Sequence, residues 1–253
     1  MKQQPPPATT TFWDFPSRTF GAGEQGDNAY KGATPAHVIW NLLVRYTKTR
    51  DLVVDPMAGS GTTLDVARQL KRRALGYDTA PQREDIFHRD ARDLPLADGK
   101  ADFLFLDPPY STHIRYSDDA RCIGRLPATG RDYYRAMDQV IREIFRILKP
   151  NHYMGLYICD SFKKDKYFIP LGFKLFSLLQ NYFTPVDIVC VKRYNRDLHK
   201  GRYHQAALEH NYFLRGFNYL FIMHKPAKRS LHQPRSRAKS TSSGKAPHKR
   251  RRS

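Results

Sequence analysis

The sequence predicts a doubly wound α/β fold whose mostly parallel sheet carries an antiparallel edge pair. Three features support this. Apolar runs of strand length alternate with stretches of helical periodicity from Leu52 to Met223, the pattern of a sheet with helices on both faces. Asp102-Phe103-Leu104-Phe105-Leu106 is apolar enough for a central strand buried on both faces. The last two runs, Val186–Val191 and Asn218–Met223, have no full helix between them, which pairs them antiparallel at one edge.

The elements follow in order. Thr34-Pro35-Ala36-His37 reads as a helix start, because threonine can cap and proline suits the first turn; Val38, Ile39, Leu42, Leu43 and Tyr46 then recur at helical spacing. A strand at Leu52-Val53-Val54 closes on Asp55-Pro56, and the loop Met57-Ala58-Gly59-Ser60-Gly61 opens a helix through Leu64, Ala67, Leu70 and Lys71. Ala74 to Tyr77 is a short strand ending on Asp78, and Ile86-Phe87 leads to Asp90. The strand Asp102–Leu106 ends at Asp107. Tyr133 to Leu148 is a strongly amphipathic helix stopped by Lys149-Pro150, and a strand follows from Tyr153 to Cys159. Leu171 to Tyr182 is the last expected helix. No internal repeat is visible, and the expected organisation is a partly ordered lead-in at 1–33, one catalytic domain at 34–225 and a disordered basic tail at 226–253.

Charge says more than length. The chain of 253 residues has a formal net charge of +19, and its last stretch, from Lys225, holds eleven basic residues and no acid, so residues 1–224 keep +8. Body and tail are each suited to a polyanion. The tail is rich in Ser and Pro and has no apolar face, as expected for a nonspecific nucleic-acid arm; His248 to Arg252 would also serve as an import signal in a nucleus. Cys122, Cys159 and Cys190 are too few and too far apart for a disulfide framework or a zinc site, and the scattered histidines give no metal-ligand spacing, so no metal is expected. Met1 to Thr11 lacks the apolar core of a signal peptide and no apolar run is long enough to span a bilayer. The expected setting is cytoplasmic without a membrane partner, at the nucleoid in a bacterium and nuclear in a eukaryote.

In open α/β sheets ligands bind beyond the carboxyl ends of the strands, where Asp55, Asp78 and Asp107 fall. Asp55-Pro56-Met57-Ala58-Gly59-Ser60-Gly61-Thr62-Thr63 sets two glycines between strand and helix, letting backbone approach a ligand closely. A phosphate-cradling loop is the rival reading, but it needs lysine after the last glycine, where Thr62 stands. A carboxylate some twenty residues further on, Asp78, suits the hydroxyls of a ribose, and Asp90 suits an adenine amino group.

Asp107-Pro108-Pro109-Tyr110 is the most specific feature. Neither proline has an N–H, so the carbonyls and the Asp107 carboxylate form a purely accepting edge that suits an NH₂ group. Two acceptors gripping an aromatic amine draw its nitrogen toward tetrahedral geometry and free a lone pair for attack on a methyl group. Tyr110 would stack on the base once it leaves its helix.

Together the glycine loop and Asp-Pro-Pro-Tyr resemble the DNA amino-methyltransferases acting on adenine N6 or cytosine N4, over roughly residues 34 to 225. The resemblance implies a Rossmann-like S-adenosylmethionine-dependent methyltransferase fold. It implies that S-adenosylmethionine is held by Asp55, Pro56, Ala58, Gly59, Ser60, Gly61 and Thr62 with Asp78 and Asp90, that the segment from Thr34 covers its methionine end, and that 210–222 carry the closing strand. Asp at the first catalytic position resembles the adenine-N6 enzymes more than the cytosine-N4 ones. Unlike many relatives, the chain has no long target-recognition insert, which leaves a restriction or specificity partner open. Substrate contacts are expected from His113, Arg115 and Tyr116 after the catalytic loop, and from Lys192, Arg193 and Tyr194 in a basic, aromatic loop running through to His204. The expected partner is DNA. An RNA base methyltransferase, and a noncatalytic nucleic-acid-binding protein on the same fold, are the alternatives.

Overall fold

A computed structural model of the protein describes residues 6–21, 23–27, 29–30, 32–110, 112, 114, 116–163, 167–194 and 198–227. Ten strands and five helices are described, in the order β1 (Phe12–Trp13), α1 (Ala36–Tyr46), β2 (Leu52–Asp55), α2 (Thr62–Gln69), β3 (Arg73–Asp78), β4 (Ile86–His88), β5 (Ala101–Leu106), α3 (Arg131–Ile147), β6 (Leu148–Ile158), β7 (Ser161–Lys163), β8 (Tyr167–Ile169), α4 (Leu171–Leu179), β9 (Thr184–Lys192), α5 (Arg202–Glu209) and β10 (Phe217–His224).

Eight of the strands form one sheet in the order β1-β9-β10-β6-β5-β2-β3-β4. β2, β3, β4, β5 and β6 run parallel to one another, whereas β10 runs antiparallel to both β6 and β9. The expected antiparallel pairing of the last two strands therefore holds, with Asn218 opposite Val191, but its position needs correction: β10 lies inside the sheet, and β1 adds parallel to the outer side of β9. The connection between β9 and β10 includes α5.

Strand order reverses between β2 and β5, which lie side by side with Val53 opposite Phe103. This is the point where a doubly wound sheet opens a crevice at its carboxyl edge. Asp55 ends β2 and Asp107 directly follows β5, so the two acids frame that crevice.

An apolar core packs each face of the sheet. α3 buries Tyr133, Met137, Val140, Ile141, Ile144 and Ile147, spaced three or four residues apart, against one face together with α4. α1 buries Ile39, Leu42 and Leu43 on the other face, beside Trp13. β5 contributes to both cores, because Leu104 and Leu106 point one way and Phe103 and Phe105 the other, all of them buried.

Several local expectations change. Pro35 occupies the N-cap of α1 with no side-chain cap, and the Thr34 hydroxyl donates to Asp107 instead, a carboxylate being the stronger acceptor. β6 starts at Leu148 and runs through Pro150; the pairing with β5 is irregular between Ala101 and Phe103, and Asn151 takes φ 61°. Part of the anticipated basic loop is α5, of which only Ala207 is buried. The lead-in packs into the body: Trp13 is 4% exposed, the Ala8 N–H donates to Asn41 Oδ1 at 2.7 Å, and Arg18 O accepts the Ala36 N–H at 2.7 Å. Among the described residues no helix is long and apolar enough to cross a membrane. The anticipated basic arm lies outside the described residues from 228 onward.

Candidate active site

Gly59 and Gly61 take φ of 49° and 84°, the left-handed region that glycine adopts at little cost. Gly61 is the N-cap of α2 and donates to Ala58 O at 2.8 Å, while Ala58 N–H donates to Tyr77 O at 2.9 Å, which holds the loop against the end of β3. A side chain at Gly61 would meet the Arg83 guanidinium at 2.5 Å. Arg83 explains that crowding: it donates to Ser60 O at 3.2 Å and forms a two-bond pair with Asp65 at 2.7 and 2.9 Å, fastening the loop to α2.

Asp78 turns inward under the same loop. Its Oδ2 accepts the Gly59 N–H at 3.0 Å and its Oδ1 accepts the Ala80 N–H at 2.9 Å. The predicted residues Thr34, Asp55, Pro56, Ala58, Gly59 and Ser60 line one cavity at the sheet's switch point, and Thr62, Asp78, Asp90, Asp107, Pro109 and Tyr116 complete that set. Gly61 supports the loop from behind the lining, and Pro108 is buried.

Four carboxyl groups, those of Asp55, Asp78, Asp90 and Asp107, line this cavity. Burial raises the Asp107 pKa to about 8, with Asp55 adding to the rise and the Thr34 hydrogen bond opposing it. Burial likewise lifts Asp55 to about 7 against hydrogen bonds from Thr63 and the Met57 N–H, with Asp78 pushing further upward. A pocket in which buried carboxyls already resist ionisation is a poor host for further negative charge such as a triphosphate, a physical reason beyond the missing lysine against the phosphate-loop reading. The groups also set a pH dependence. Both carboxyls bind protons more tightly folded than unfolded, so the stability they contribute is complete below their ordinary value near 3.8 and is lost as pH rises through about 7 to 8. The expected result is a cofactor-free melting temperature that falls from pH 5 to pH 8.5, by less in Asp107→Asn; equal pH slopes in the two proteins, by calorimetry, would contradict it.

Asp90 is placed differently from its expected role. Burial would raise its pKa, but Arg92 outweighs that: Nε reaches Oδ1 at 2.9 Å and Nη2 reaches Oδ2 at 2.5 Å, and the Arg92 N–H adds a third contact at 3.0 Å. Its carboxylate lines the cavity already committed to an arginine, which leaves it less free to accept from an adenine.

The Asp107–Tyr110 loop forms part of the wall between two cavities. Asp107 and Pro109 line the first, Tyr110 lines a second, and Tyr116 lines both. The second cavity is largely aromatic, with Phe162 stacked on Tyr212 at 4.7 Å and Arg193 and Arg215 in its lining. Arg193 thus sits where a substrate contact was expected. Lys192 and Tyr194 do not: both bind Asp14, the lysine at 2.8 Å, on the outer side of β9. His113 and Arg115 lie outside the described residues. Sequence reasoning missed Tyr30, whose ring rests on Gly59 and lines the first cavity, and Tyr133, whose hydroxyl donates to Pro109 O at 2.9 Å. No group of three or more potential metal ligands is found among the described residues.

Residues 2–89 match the sequence profile of the DNA methylase family. That stretch is about a third of the chain. The Type II methyltransferase M.HinfI of Haemophilus influenzae is 27% identical to this chain over 88 residues, which span 34% of the chain but only 24% of M.HinfI. The profile match includes the lead-in and the glycine loop and stops ahead of Asp90 and Asp107, so the Asp107–Tyr110 loop is read from its own motif and geometry. In three dimensions the [4+2]-cyclase SpnF superposes with a TM-score of 0.51 at 17% identity, covering 82% of this chain and 89% of SpnF. TrmN of Thermus thermophilus gives a TM-score of 0.49 at 16% identity, over 77% of this chain and 50% of TrmN. The sheet order with one reversed strand is the Rossmann-like methyltransferase fold expected from the sequence. A cyclase shares the fold, so the reaction has to be argued from the site.

Proposed function

We propose that this chain is an S-adenosylmethionine-dependent DNA methyltransferase that modifies an exocyclic amino group of a base, adenine N6 ahead of cytosine N4. The observation that carries the proposal is Asp107 Oδ1, which is closed off from solvent and has no hydrogen-bond partner, while Oδ2 is held by Thr34. Leaving a buried acceptor unpaired costs about 1–3 kcal/mol, so such an atom at a cavity wall is suited to a ligand's donor. An aromatic amine supplies that donor.

The residues fit the cofactor. Asp78 has lone pairs beyond its two backbone bonds for the ribose hydroxyls, the Gly59–Gly61 backbone gives close approach, and the anionic cluster complements a sulfonium. When bound, S-adenosylmethionine supplies an electrophilic methyl group. The protein does the rest: Tyr110 stacks on the target base, Asp107 accepts one amino hydrogen, and a loop carbonyl accepts the other, freeing the nitrogen lone pair for in-line attack. The amino nitrogen would take the methyl group as its bond to sulfur breaks, and the surplus proton would pass from the nitrogen to the Asp107 carboxylate, which burial makes proton-avid. No covalent enzyme intermediate is involved, so the cysteines have no role. Adenine is preferred because Asp at the first loop position is the pattern of the adenine enzymes. DNA is preferred through the family likeness, and the +8 of residues 1–224 suits a polyanion.

The full chain, incubated with methyl-labelled S-adenosylmethionine and with duplex DNA, single-stranded DNA or RNA, tests the polymer. Label is expected in DNA; label confined to RNA would move the function to RNA, and label in neither would refute it.

A further inference from the structure

We propose that Thr34 and Tyr133 are positioning residues that fix the accepting edge of the Asp107–Tyr110 loop, Thr34 by occupying Asp107 Oδ2 so that Oδ1 is the carboxylate oxygen left for the target amine, and Tyr133 by pinning the Pro109 carbonyl. The inference rests on the proposed function for its substrate, and on the following contacts for everything else.

The loop from Asp107 to Pro109 offers five acceptor atoms: two carboxylate oxygens and three backbone carbonyls. Thr34, the last residue but one before α1, donates its hydroxyl to Asp107 Oδ2. That bond selects one carboxylate oxygen and fixes the plane of the group, so Oδ1 is left buried and without a donor. Tyr133, in the first turn of α3, donates its hydroxyl to Pro109 O at 2.9 Å. That carbonyl is turned toward the helix.

Tyr133 is built for this task. It is fully buried, packs edge-on against Tyr134 at 5.3 Å between centroids, and sits on a helix whose inner face is anchored by six further core residues. A hydroxyl carried on so rigid a support transmits the position of α3 to the peptide between Pro109 and Tyr110. The same bond therefore sets where Tyr110 stands, at the wall of the aromatic second cavity. Both prolines have fixed φ, so the loop has few other ways to adjust and one pinned carbonyl determines much of its shape.

Neither side chain has to touch a reacting atom, and the two clamps predict separate signatures. Thr34 holds the charged form of Asp107, so Thr34→Val should raise the midpoint of the Asp107 titration, followed by ¹³C NMR of carboxyl-labelled aspartate, and Thr34→Ser should restore it. Tyr133→Phe keeps the core filled and should lower kcat by about 10- to 100-fold through misplacement of the loop, with KM for S-adenosylmethionine changed less than about twofold and the titration unmoved. Unfolding curves run in parallel separate these effects from a general loss of structure. Overturning results are a Thr34→Val titration equal to that of the parent, or a Tyr133→Phe protein with unaltered kcat. If the parent transfers no methyl group to any nucleic acid, the proposed function fails while the NMR titration still decides the Thr34 clamp.

Discussion

Asp107→Ala is expected to lower methyl transfer by at least about 100-fold while cofactor affinity changes less than about threefold, the scale on which removal of one preorganised electrostatic contact acts. Asp107 stands at the end of β5, where the strand is buried along its whole length, and the two prolines that follow leave it little freedom to move. Its role is aimed at the amine, so the ground-state complex with cofactor alone hardly depends on it. Loss of kcat together with equal loss of cofactor binding would place Asp107 in the cofactor site instead. Asp107→Asn separates shape from charge: it retains one oxygen acceptor and the size of the side chain, and is expected to fall between the parent and Asp107→Ala.

Asp78→Ala should act on the other half of the reaction, weakening S-adenosylmethionine binding by at least about 100-fold, since two hydrogen bonds to a charged acceptor are worth roughly 1.5–3 kcal/mol each. The carboxylate carries two loads. It ties Gly59 and Ala80 to the end of β3 through bonds of 3.0 and 2.9 Å, and it presents its remaining lone pairs to the cavity. Asp78→Asn keeps one acceptor and should recover part of the affinity. Calorimetric titration of the purified variants measures this directly. A Kd within about threefold of the parent's would show that the ribose is held elsewhere.

The parts of the site legible in the sequence are those fixed by short-range pattern. Asp55, Asp78 and Asp107 were found because each closes a strand that its own apolar run announces, and the glycine loop because Gly59 and Gly61 mark where backbone must turn. Partners distant in sequence were not legible. Thr34 lies 73 residues from Asp107 and was read as a cap, and nothing local to Tyr133 announces a bond to a carbonyl 24 residues upstream. Arg92 masks Asp90 from only two positions away, but an arginine beside an aspartate is too common a pair to signal an ion pair in advance.

Elements were missed for a similar reason. β1 is two residues long and exists through its pairing with Cys190 and Val191, so no periodicity marks it. α5 buries a single alanine, which leaves no apolar stripe to distinguish it from a charged loop. The depth of β10 within the sheet depends on its antiparallel match to β6 as well as β9, a long-range pairing that strand hydrophobicity does not encode.

The position of the methyl group on the product base is the most direct test of the mechanism. DNA modified by the purified chain is digested to nucleosides and the products are separated and identified by mass spectrometry against authentic standards. The expected product is N6-methyladenine, with N4-methylcytosine as the outcome that keeps the amine chemistry and changes the base. Methyl groups on a ring carbon or a ring nitrogen would contradict an accepting edge built to grip an NH₂ group at Asp107.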